Sequence, residues 1–204
     1  MLLIIYNYYG DTMNFIDIIK NYIPINEQEE ADKNLILDLY NTYGNNLLLR
    51  DTLIAHITVS AWIVNKNMDK VLMNYHNIYK NWGWLGGHAD GCSDLLDVAK
   101  KEIFEESGLK NIMPLSNDII SLEALPVVSH IKKGKFVSSH IHLNVTYLFM
   151  ANENDKLIVN KNEGSGLQWV EREKAPLLTN EEQMKPIYIK LNKVVDKYIS
   201  NKKS

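Results

Sequence analysis

The chain has 204 residues, 46% hydrophobic and 23% charged, which is typical of one globular domain with a sizeable core and an added segment. Its formal net charge of −3 gives no basic field, so neither nucleic acid nor an anionic membrane surface is an expected partner. The single cysteine, Cys92, excludes an intrachain disulfide and fits a reducing cytoplasm. No apolar run reaches the ~20 residues that a membrane helix needs.

The first fifty residues are predicted to form helices. Residues 1–10 are apolar but lack the basic region of a signal peptide, so we expect a frayed or packed extension there. A short helix is predicted over residues 15–19. A second helix is predicted after Asn26, which has Glu29 three residues on, the spacing of an N-terminal cap. The apolar stripe of this second helix is predicted to consist of Leu35, Leu39 and Tyr43.

After residue 51 the hydrophobic period changes to two, which predicts strands. The clearest alternation covers residues 57–63, with apolar side chains at the odd positions. Further strands are predicted over residues 70–76, 119–129 and 140–150 and around Trp169, with a closing helix that begins at Pro186. The order of elements predicts an α/β (α+β) sandwich, with a helical extension over residues 1–50 and the main domain over residues 51–204.

Between these strands lies a glycine pair followed by a helix, GGHADGCSDLLDVAKKEIFEESGL, over residues 86–109. Either Ser93 or Asp94 caps this helix, and Gly108 ends it. At about 100° per residue, the three carboxylates fall together along one edge of the apolar stripe: Glu102, Glu105 and Glu106. Like charges one turn apart repel by about 0.2–0.5 kcal/mol per pair. The carboxylates are therefore either simply solvated or grouped around a hard cation, which prefers oxygen ligands.

These residues resemble the Nudix box of the MutT-like hydrolases. The box positions in register are Gly87, Glu102, Ile103, Glu105, Glu106, Gly108 and Leu109. Two positions depart from the pattern, since Ser93 stands where the family has its first Glu and Lys101 where it has Arg. Residues 51–170 follow the family's order of elements, and the GGHADG stretch is most similar to an uncharacterised bacterial branch of Nudix hydrolases. The resemblance implies an α/β/α sandwich with a mixed sheet.

The resemblance also implies a hydrolase that cleaves the pyrophosphate bond of a nucleoside diphosphate derivative, with ADP-ribose or an ADP-sugar as the first expectation. The three carboxylates and the Gly87 carbonyl would hold Mg²⁺ or Mn²⁺. Glu163 lies six residues before Trp169, where some family members carry a catalytic Glu. Lys101 would replace Arg as the brace of the metal-binding loop, with Asp90 or Asp94 as its partner. Lys lacks the bidentate fork of Arg, so reduced or altered activity is expected.

Two further groups are candidates for substrate binding. Trp82 and Trp84, with Tyr75 and Tyr79, have faces on which a base could stack, although aromatic residues at strand positions are more often core. His140 and His142 share one face of a strand, with His130 placed across the hairpin. The pair could bind zinc, but no third ligand has suitable spacing, so a role in lining the substrate cleft is favoured.

Alternative functions stay open at this stage. One is a nucleoside triphosphate (dNTP) pyrophosphatase, and another is a non-catalytic nucleotide-sensing module, suggested by Ser93 and Lys101. Isopentenyl diphosphate isomerisation needs a catalytic cysteine in other surroundings than those of Cys92. The expected partner is a nucleotide-derived small molecule, and a homodimer is an open possibility.

Overall fold

The computed structural model describes residues 14–77, 80–132, 134–161 and 164–203. The helices are α1 (Phe15–Asn21), α2 (Glu27–Tyr43), α3 (Leu95–Ser107), α4 (Ala175–Leu178) and α5 (Met184–Lys203). The strands are β1 (Ala55–Val64), β2 (Lys70–His76), β3 (Asn81–Gly83), β4 (Leu85–His88), β5 (Ile112–Pro114), β6 (Ser121–Val127), β7 (His130–Lys132), β8 (Lys135–Val137), β9 (His140–Ala151) and β10 (Gly164–Glu171). Short 3₁₀ helices cover Gly44–Leu48 and Arg172–Lys174.

Eight of these strands form one mixed sheet, which confirms the predicted fold class. Its main order is β10-β2-β1-β9-β5, with β3 paired to β2, β4 to β1, and β6 to β9. Strands β1 and β9 are parallel over their whole shared length, and the other pairs are antiparallel. Strands β7 and β8 form a separate hairpin between β6 and β9. The short strand β5 was not predicted, because three residues are too few to show a period.

The sheet divides into a fork between β1 and β2. These two strands pair at Val64 and Val71, and beyond that point β4 pairs with β1 while β3 pairs with β2. The chain between β3 and β4 therefore crosses from one prong to the other, and the glycine pair of the box lies on the β1 prong. Gly86 pairs with Ser60, and Gly87 pairs with Val59.

Each face of β1 supports its own hydrophobic core, because successive side chains point to opposite faces. Ile57, Val59 and Ala61 pack in a core that also contains apolar residues of α1, α2 and α3. Trp62 and Val64 belong to a second core with residues of α5, in which the Trp62 ring stacks on Tyr188 with 5.2 Å between centroids. The helices are thus held on the sheet by burial of apolar area, which contributes about 25 cal/mol per Å².

Helix α2 lies along the edge strand β6. The Gln28 side chain donates to the Leu122 carbonyl at 3.3 Å, and Asp32 accepts from the Ala124 N–H at 3.0 Å. The Asn26 cap is confirmed, since its side chain accepts from the Glu29 N–H at 2.9 Å. The predicted stripe of α2 is wrong at Leu35, which is 38% exposed.

The buried residue of this helix is Ile36, one position further along, because α2 packs on the sheet edge through its Ile36 face. The remaining predicted features of the first residues, at positions 1–10, lie outside the described residues. In the part of the chain that the structure describes, no helix is long and apolar enough to cross a membrane.

Candidate active site

Glu106 occupies the fork of the sheet. It projects from the last turn of α3 and is 4% exposed. One carboxylate oxygen accepts from the Gly86 N–H on one prong at 3.0 Å, and the other accepts from the Asn74 amide on the other prong at 3.2 Å. The carboxylate therefore bridges β4 and β2 and fixes the end of α3 against the sheet.

Glu102, one turn earlier, lies directly against Gly87. A Cβ atom at position 87 would collide with the Glu102 carboxyl group, so only glycine leaves room for this side chain. Gly86 is constrained as well, because a Cβ there would overlap the Val59 carbonyl of β1. The glycine pair thus lets the backbone approach both β1 and a carboxylate that is 8% exposed.

The third carboxylate, Glu105, faces solvent, with 44% of its side chain exposed. Lys101 lies beside the group, with its Nζ 3.9 Å from a Glu102 oxygen and 3.7 Å from a Glu105 oxygen. These are ion-pair distances outside hydrogen-bonding range. The prediction that all three Glu side chains share one edge holds for the helix surface, but only Glu102 and Glu106 are buried there.

The predicted partners of Lys101 bind elsewhere. Asp94 caps α3 by accepting from the Asp97 N–H at 3.0 Å. Asp90 forms a bidentate pair with Arg50, with both nitrogen–oxygen distances at 2.6 Å. The expectation that Asp90 or Asp94 reaches Lys101 is therefore wrong, because the helix terminus and an arginine from the N-terminal segment occupy these carboxylates.

The N-terminal segment holds the loop between β4 and α3 in place. Besides the Arg50 pair, the Leu48 carbonyl accepts from the Gly91 N–H at 2.9 Å, and on the other side the Ile57 carbonyl of β1 accepts from the Ala89 N–H at 3.1 Å. Asp90 itself has a positive φ of 46°, a conformation that an L-residue adopts only when its surroundings support it. Ser93 is exposed and stands outside this set of contacts.

Glu163 lies outside the described residues. Its neighbour Gly164 lies against Asn74, and a Cβ at position 164 would collide with the Asn74 side-chain oxygen. That oxygen is buried and has no hydrogen-bond partner among the described residues. Gly164, the residue after Glu163, therefore lies against the Asn74 side chain, which also donates to Glu106.

The four residues predicted to bind the substrate do not form one group. Trp84 packs edge-on to Tyr188, and Trp82 packs edge-on to Tyr75, at 5.6 and 5.4 Å between ring centroids. His142 pairs with His56 near the start of β1, whereas the ring of Tyr188 covers Trp62 six residues further along. At about 3.3 Å per residue, roughly 20 Å of β1 separates His56 from Trp62. Tyr79 lies outside the described residues.

His140 and His142 belong to a cluster of four imidazoles. Their rings contact His56, at 4.8 and 5.1 Å between centroids, and His142 also contacts His88 at 4.9 Å. His56 is 5% exposed, and neither of its ring nitrogens meets a partner in hydrogen-bonding geometry. A buried polar group left unpaired costs about 1–3 kcal/mol.

Burial lowers the pKa of His56, and the neighbouring His140 lowers it further, so the ring is favoured in its neutral form. The nearby Thr52 backbone opposes this lowering of the pKa. Its geometry does not meet that of a hydrogen bond to the ring. His130, predicted to lie across the hairpin, is instead on β7, where its Nδ1 lies 3.0 Å from the Val128 carbonyl.

Sequence analysis missed Asn74, Arg50, His56 and His88 as site residues. Asn74 carried a signal, since it is a polar residue within the buried run of β2. The others depend on strand register and on a contact 40 residues apart in the chain, for which the sequence offers no local pattern.

The carboxylates fit a hard divalent cation. Two buried carboxylates lie on adjacent turns of α3, and the glycine at position 87 leaves the space that the Glu102 carboxyl group occupies. A buried charge is tolerated when it is paired or coordinates a metal, and oxygen ligands of this kind suit Mg²⁺ and Mn²⁺.

Comparisons with known proteins identify the family of this chain. The family model of the NUDIX domain matches residues 55–191. The chain therefore belongs to the Nudix family, and the prediction of a pyrophosphate-cleaving hydrolase is confirmed at the level of class. No curated protein sequence matches the chain significantly.

Three solved structures share the fold. The Ap4A hydrolase binary complex of C. elegans is 19% identical and covers 69% of this chain and 97% of its own, with a TM-score of 0.51. The dihydroneopterin triphosphate pyrophosphohydrolase of E. coli is 13% identical and covers 65% and 91%, with a TM-score of 0.50. A NUDIX hydrolase of Listeria monocytogenes is 19% identical and covers 69% and 93%, also at 0.50. At these identities the likeness concerns the fold alone.

Proposed function

We propose that this protein is a Mg²⁺- or Mn²⁺-dependent hydrolase that cleaves the pyrophosphate bond of a nucleoside diphosphate derivative. The observation that carries the proposal is the buried pair of carboxylates, Glu102 and Glu106, on successive turns of α3 next to the glycine pair. Two buried carboxylates this close together offer the oxygen ligands that a hard divalent cation prefers. An exposed run of glutamates on a solvated helix face would need neither the glycines nor the burial.

Each residue of the site has a proposed role. Glu102, Glu105, Glu106 and the Gly87 carbonyl hold the ion, with Glu106 oriented by Gly86 and Asn74. A divalent ion held by these residues would supply positive charge to offset the diphosphate and would favour deprotonation of the attacking water. Glu163 acts as the general base, a role supported by the contact of Gly164 with Asn74 beside Glu106.

Lys101 has a different proposed role from the one that its box position implies. Its ammonium group lies over Glu102 and Glu105, at 3.9 and 3.7 Å, where it moderates their mutual repulsion. We assign the bracing of the loop to Arg50 and Asp90, whose bidentate contact has the geometry that a lysine cannot provide.

The proposed substrate is ADP-ribose or an ADP-sugar. Trp82 and Trp84 are half-buried, so each keeps part of its ring surface for a base. His140 and His142 stay candidates for contacts to a substrate group at the other end of β1. The division into an extension over residues 1–50 and a Nudix domain over residues 51–204, the bacterial branch and a cytoplasmic location also stay predictions.

Two alternatives differ in substrate or in chemistry. Structural neighbours are named for Ap4A and for a pterin triphosphate, which keeps a triphosphate, including a dNTP, as an alternative substrate. A non-catalytic nucleotide-sensing module is the second alternative, because Ser93 and Lys101 replace two residues of the family pattern.

A substrate panel tests the proposal. The purified protein is assayed with Mg²⁺ on ADP-ribose, ADP-sugars, NADH, dinucleoside polyphosphates and dNTPs, and products are separated by chromatography. We expect AMP and a sugar phosphate from ADP-ribose. Cys92→Ser serves as the matched control and should keep turnover within about a few-fold, because Cys92 is exposed and the chemistry uses no thiolate.

Other outcomes decide between the alternatives. If the protein prefers a dNTP, the substrate is a nucleoside triphosphate and not a diphosphate derivative. Nucleotide binding without turnover of any member of the panel would favour the sensing module. Loss of turnover in folded Cys92→Ser would restore a covalent mechanism.

A further inference from the structure

The histidine cluster lies close to the carboxylate site but on the other side of β4. We propose that His56, His88, His142 and His140 form a second metal site, for a transition-metal ion of the Zn²⁺ class, separate from the carboxylates. The first three of these residues carry ligand atoms that all lie within 4.8 Å of one another. They come from β1, β4 and β9, so the site is assembled by the sheet itself.

Strand register explains why the rings meet. His56 is the direct partner of His142 on the parallel pair β1 and β9. His88 is the partner of Thr58, two residues from His56, and therefore lies on the same face of β1. The His56 and His88 rings are 5.0 Å apart between centroids. This convergence comes from rigid strands, which suits a preorganised site.

The spacing of the nitrogens fits one ion. Zn–N bonds are about 2.0–2.1 Å, so two ligands of a tetrahedral ion lie about 3.4 Å apart. The Nε2 atoms of His140 and His142 are 3.2 Å apart, already near that separation. The ligand atoms of His56, His88 and His142 lie within 4.8 Å of one another, and small rotations of the rings would bring them to the same separation of about 3.4 Å, that of a tetrahedral ion.

The tautomer of His140 is set for ligation. Its Nδ1 lies 2.8 Å from the Ser138 carbonyl, and since a carbonyl only accepts, Nδ1 carries the hydrogen. The lone pair of His140 is then on Nε2, which faces His142. A backbone carbonyl that holds the far nitrogen of an imidazole is the usual outer contact of a metal-ligating histidine.

His56 adds an independent observation. Only 5% of this residue is exposed, and both of its ring nitrogens lack a hydrogen-bond partner among the described residues. Buried polar groups are nearly always satisfied, so an unsatisfied one in a native fold calls for a missing ligand. A metal ion bound to one nitrogen supplies that ligand within the ring of histidines.

The two sites select different ions. Imidazole nitrogens suit Zn²⁺ and its neighbours in the first transition row, whereas carboxylates suit Mg²⁺ and Mn²⁺. They also occupy opposite faces of β4. The side of Gly87 that a Cβ would occupy faces Glu102, and His88, the next residue, points the other way.

Metal titration tests the proposal on the full chain. The protein is first stripped with a chelator and then kept in excess Mg²⁺, so that the carboxylates are occupied. Zn²⁺ is added in a calorimeter, and Co²⁺ in a parallel titration is followed by its visible absorption, which is intense for a tetrahedral nitrogen site. We expect one equivalent of each ion to bind.

The variants separate the cluster from the carboxylates. His142→Ala and His88→Ala should weaken Zn²⁺ binding by about 100-fold or more, beyond the effect of losing an outer contact. His140→Ala should weaken it less, because water can take the fourth position. His130→Ala is the matched control outside the cluster and should bind as the parent does, as should Glu106→Gln.

Several results would overturn the proposal. One is that neither Zn²⁺ nor Co²⁺ binds in excess Mg²⁺. A second is that Glu106→Gln abolishes the binding of these ions, and a third is that His142→Ala binds Zn²⁺ with the affinity of the parent. Since His56 is buried and its replacement can unfold the chain, the half-buried His88 and His142 carry the test, with the melting temperature of each variant measured first. Loss of substrate turnover in Glu106→Gln with intact Zn²⁺ binding shows that the two sites are independent.

Discussion

Two pairs of buried carboxylates in this protein have opposite surroundings. Glu29 and Glu123 share the ammonium of Lys190, whose Nζ lies 2.7 and 2.8 Å from them. Glu102 and Glu106 lie beside a glycine pair, and Glu106 accepts hydrogen bonds from two neutral groups, Gly86 and Asn74. The first pair carries its own counter-ion within the fold. For the second pair, we propose a cation from solution.

The Lys190 pair continues as a polar network across the sheet. The Ser121 hydroxyl lies within hydrogen-bonding distance of both Glu29 and Glu123, and Asn144 donates to Glu123 at 3.1 Å. The side-chain oxygen of Asn144 in turn accepts from Thr58 and Ser60 on β1. This network joins α2, α5 and three strands, so the Lys190 pair holds the fold together, whereas the proposed role of the other pair is to bind an ion.

The largest effect is expected from Glu106→Gln. Hydrolysis should fall by about 10²–10³-fold or more, as for other losses of one preorganised charge-stabilising group. Stability should change by less than about 1 kcal/mol, because the Asn74 amide can turn its unpaired oxygen towards the new NH₂ group. Steady-state kinetics and urea denaturation measure both. Asp97→Asn, at an exposed position of the same helix outside the proposed site, is the control for charge alone, and a fully active Glu106→Gln would reject the site.

Lys190→Met should be the most destabilising change at the other pair. Removing one partner of a buried ion pair costs about 3–5 kcal/mol, because two carboxylates stay buried without a cation. Thermal or urea unfolding provides the measurement, and Lys193→Met, an exposed lysine on the same helix, should stay within about 0.5 kcal/mol of the parent. Adding Glu29→Gln and Glu123→Gln should restore much of the loss. If Lys190→Met alone is as stable as the parent, the network does not hold the helices.

A smaller effect is expected from pH. Burial raises the pKa of Glu123 above its ordinary value of 4.5, with Lys190 opposing the shift. The folded state then keeps a proton that the unfolded chain releases, so this contribution to stability is full below about pH 4.5 and is lost as the pH rises through the folded-state pKa. Urea denaturation at a series of pH values should show this decline in the parent and a flatter profile in Glu123→Gln. Parallel profiles would mean that Glu123 ionises in the folded state as it does in the unfolded chain.

The smallest effect is expected at the loop beside the carboxylates. The Arg50–Asp90 pair is nearly half exposed, so Asp90→Asn should cost less than about 1 kcal/mol of stability. The kcat of the Asp90→Asn variant should fall by about a few-fold, because the loop between β4 and α3 loses its bidentate contact with Arg50. The pair Ser93→Glu and Lys101→Arg, which restores the family pattern, should recover kcat in the Asp90→Asn background. An unchanged kcat in Asp90→Asn would show that the brace is dispensable.

How far the sequence predicted this molecule depends on the range of each contact. The grouping of the α3 carboxylates follows from the 3.6-residue period, and the end at Gly108 follows from glycine as a helix stop. The cap was predicted at Ser93 or Asp94, and the structure has it at Asp94. The stripe of α2 was assigned one residue off at Leu35, because that helix is only weakly amphipathic. Lys190 meets Glu29 from 161 residues away, and no local pattern marks such a partner. The histidine cluster likewise depends on the parallel register of β1 and β9.

The side chains of α2 along β6 also limit how two copies of the chain can associate. A strand at the rim of a sheet attracts another strand through its unused N–H and C=O groups. Gln28 and Asp32 already occupy two of those groups on β6, at Leu122 and Ala124. A homodimer that forms by extension of the sheet is therefore expected to use β10 at the opposite end rather than β6, which leaves α2 and its network with Lys190 undisturbed.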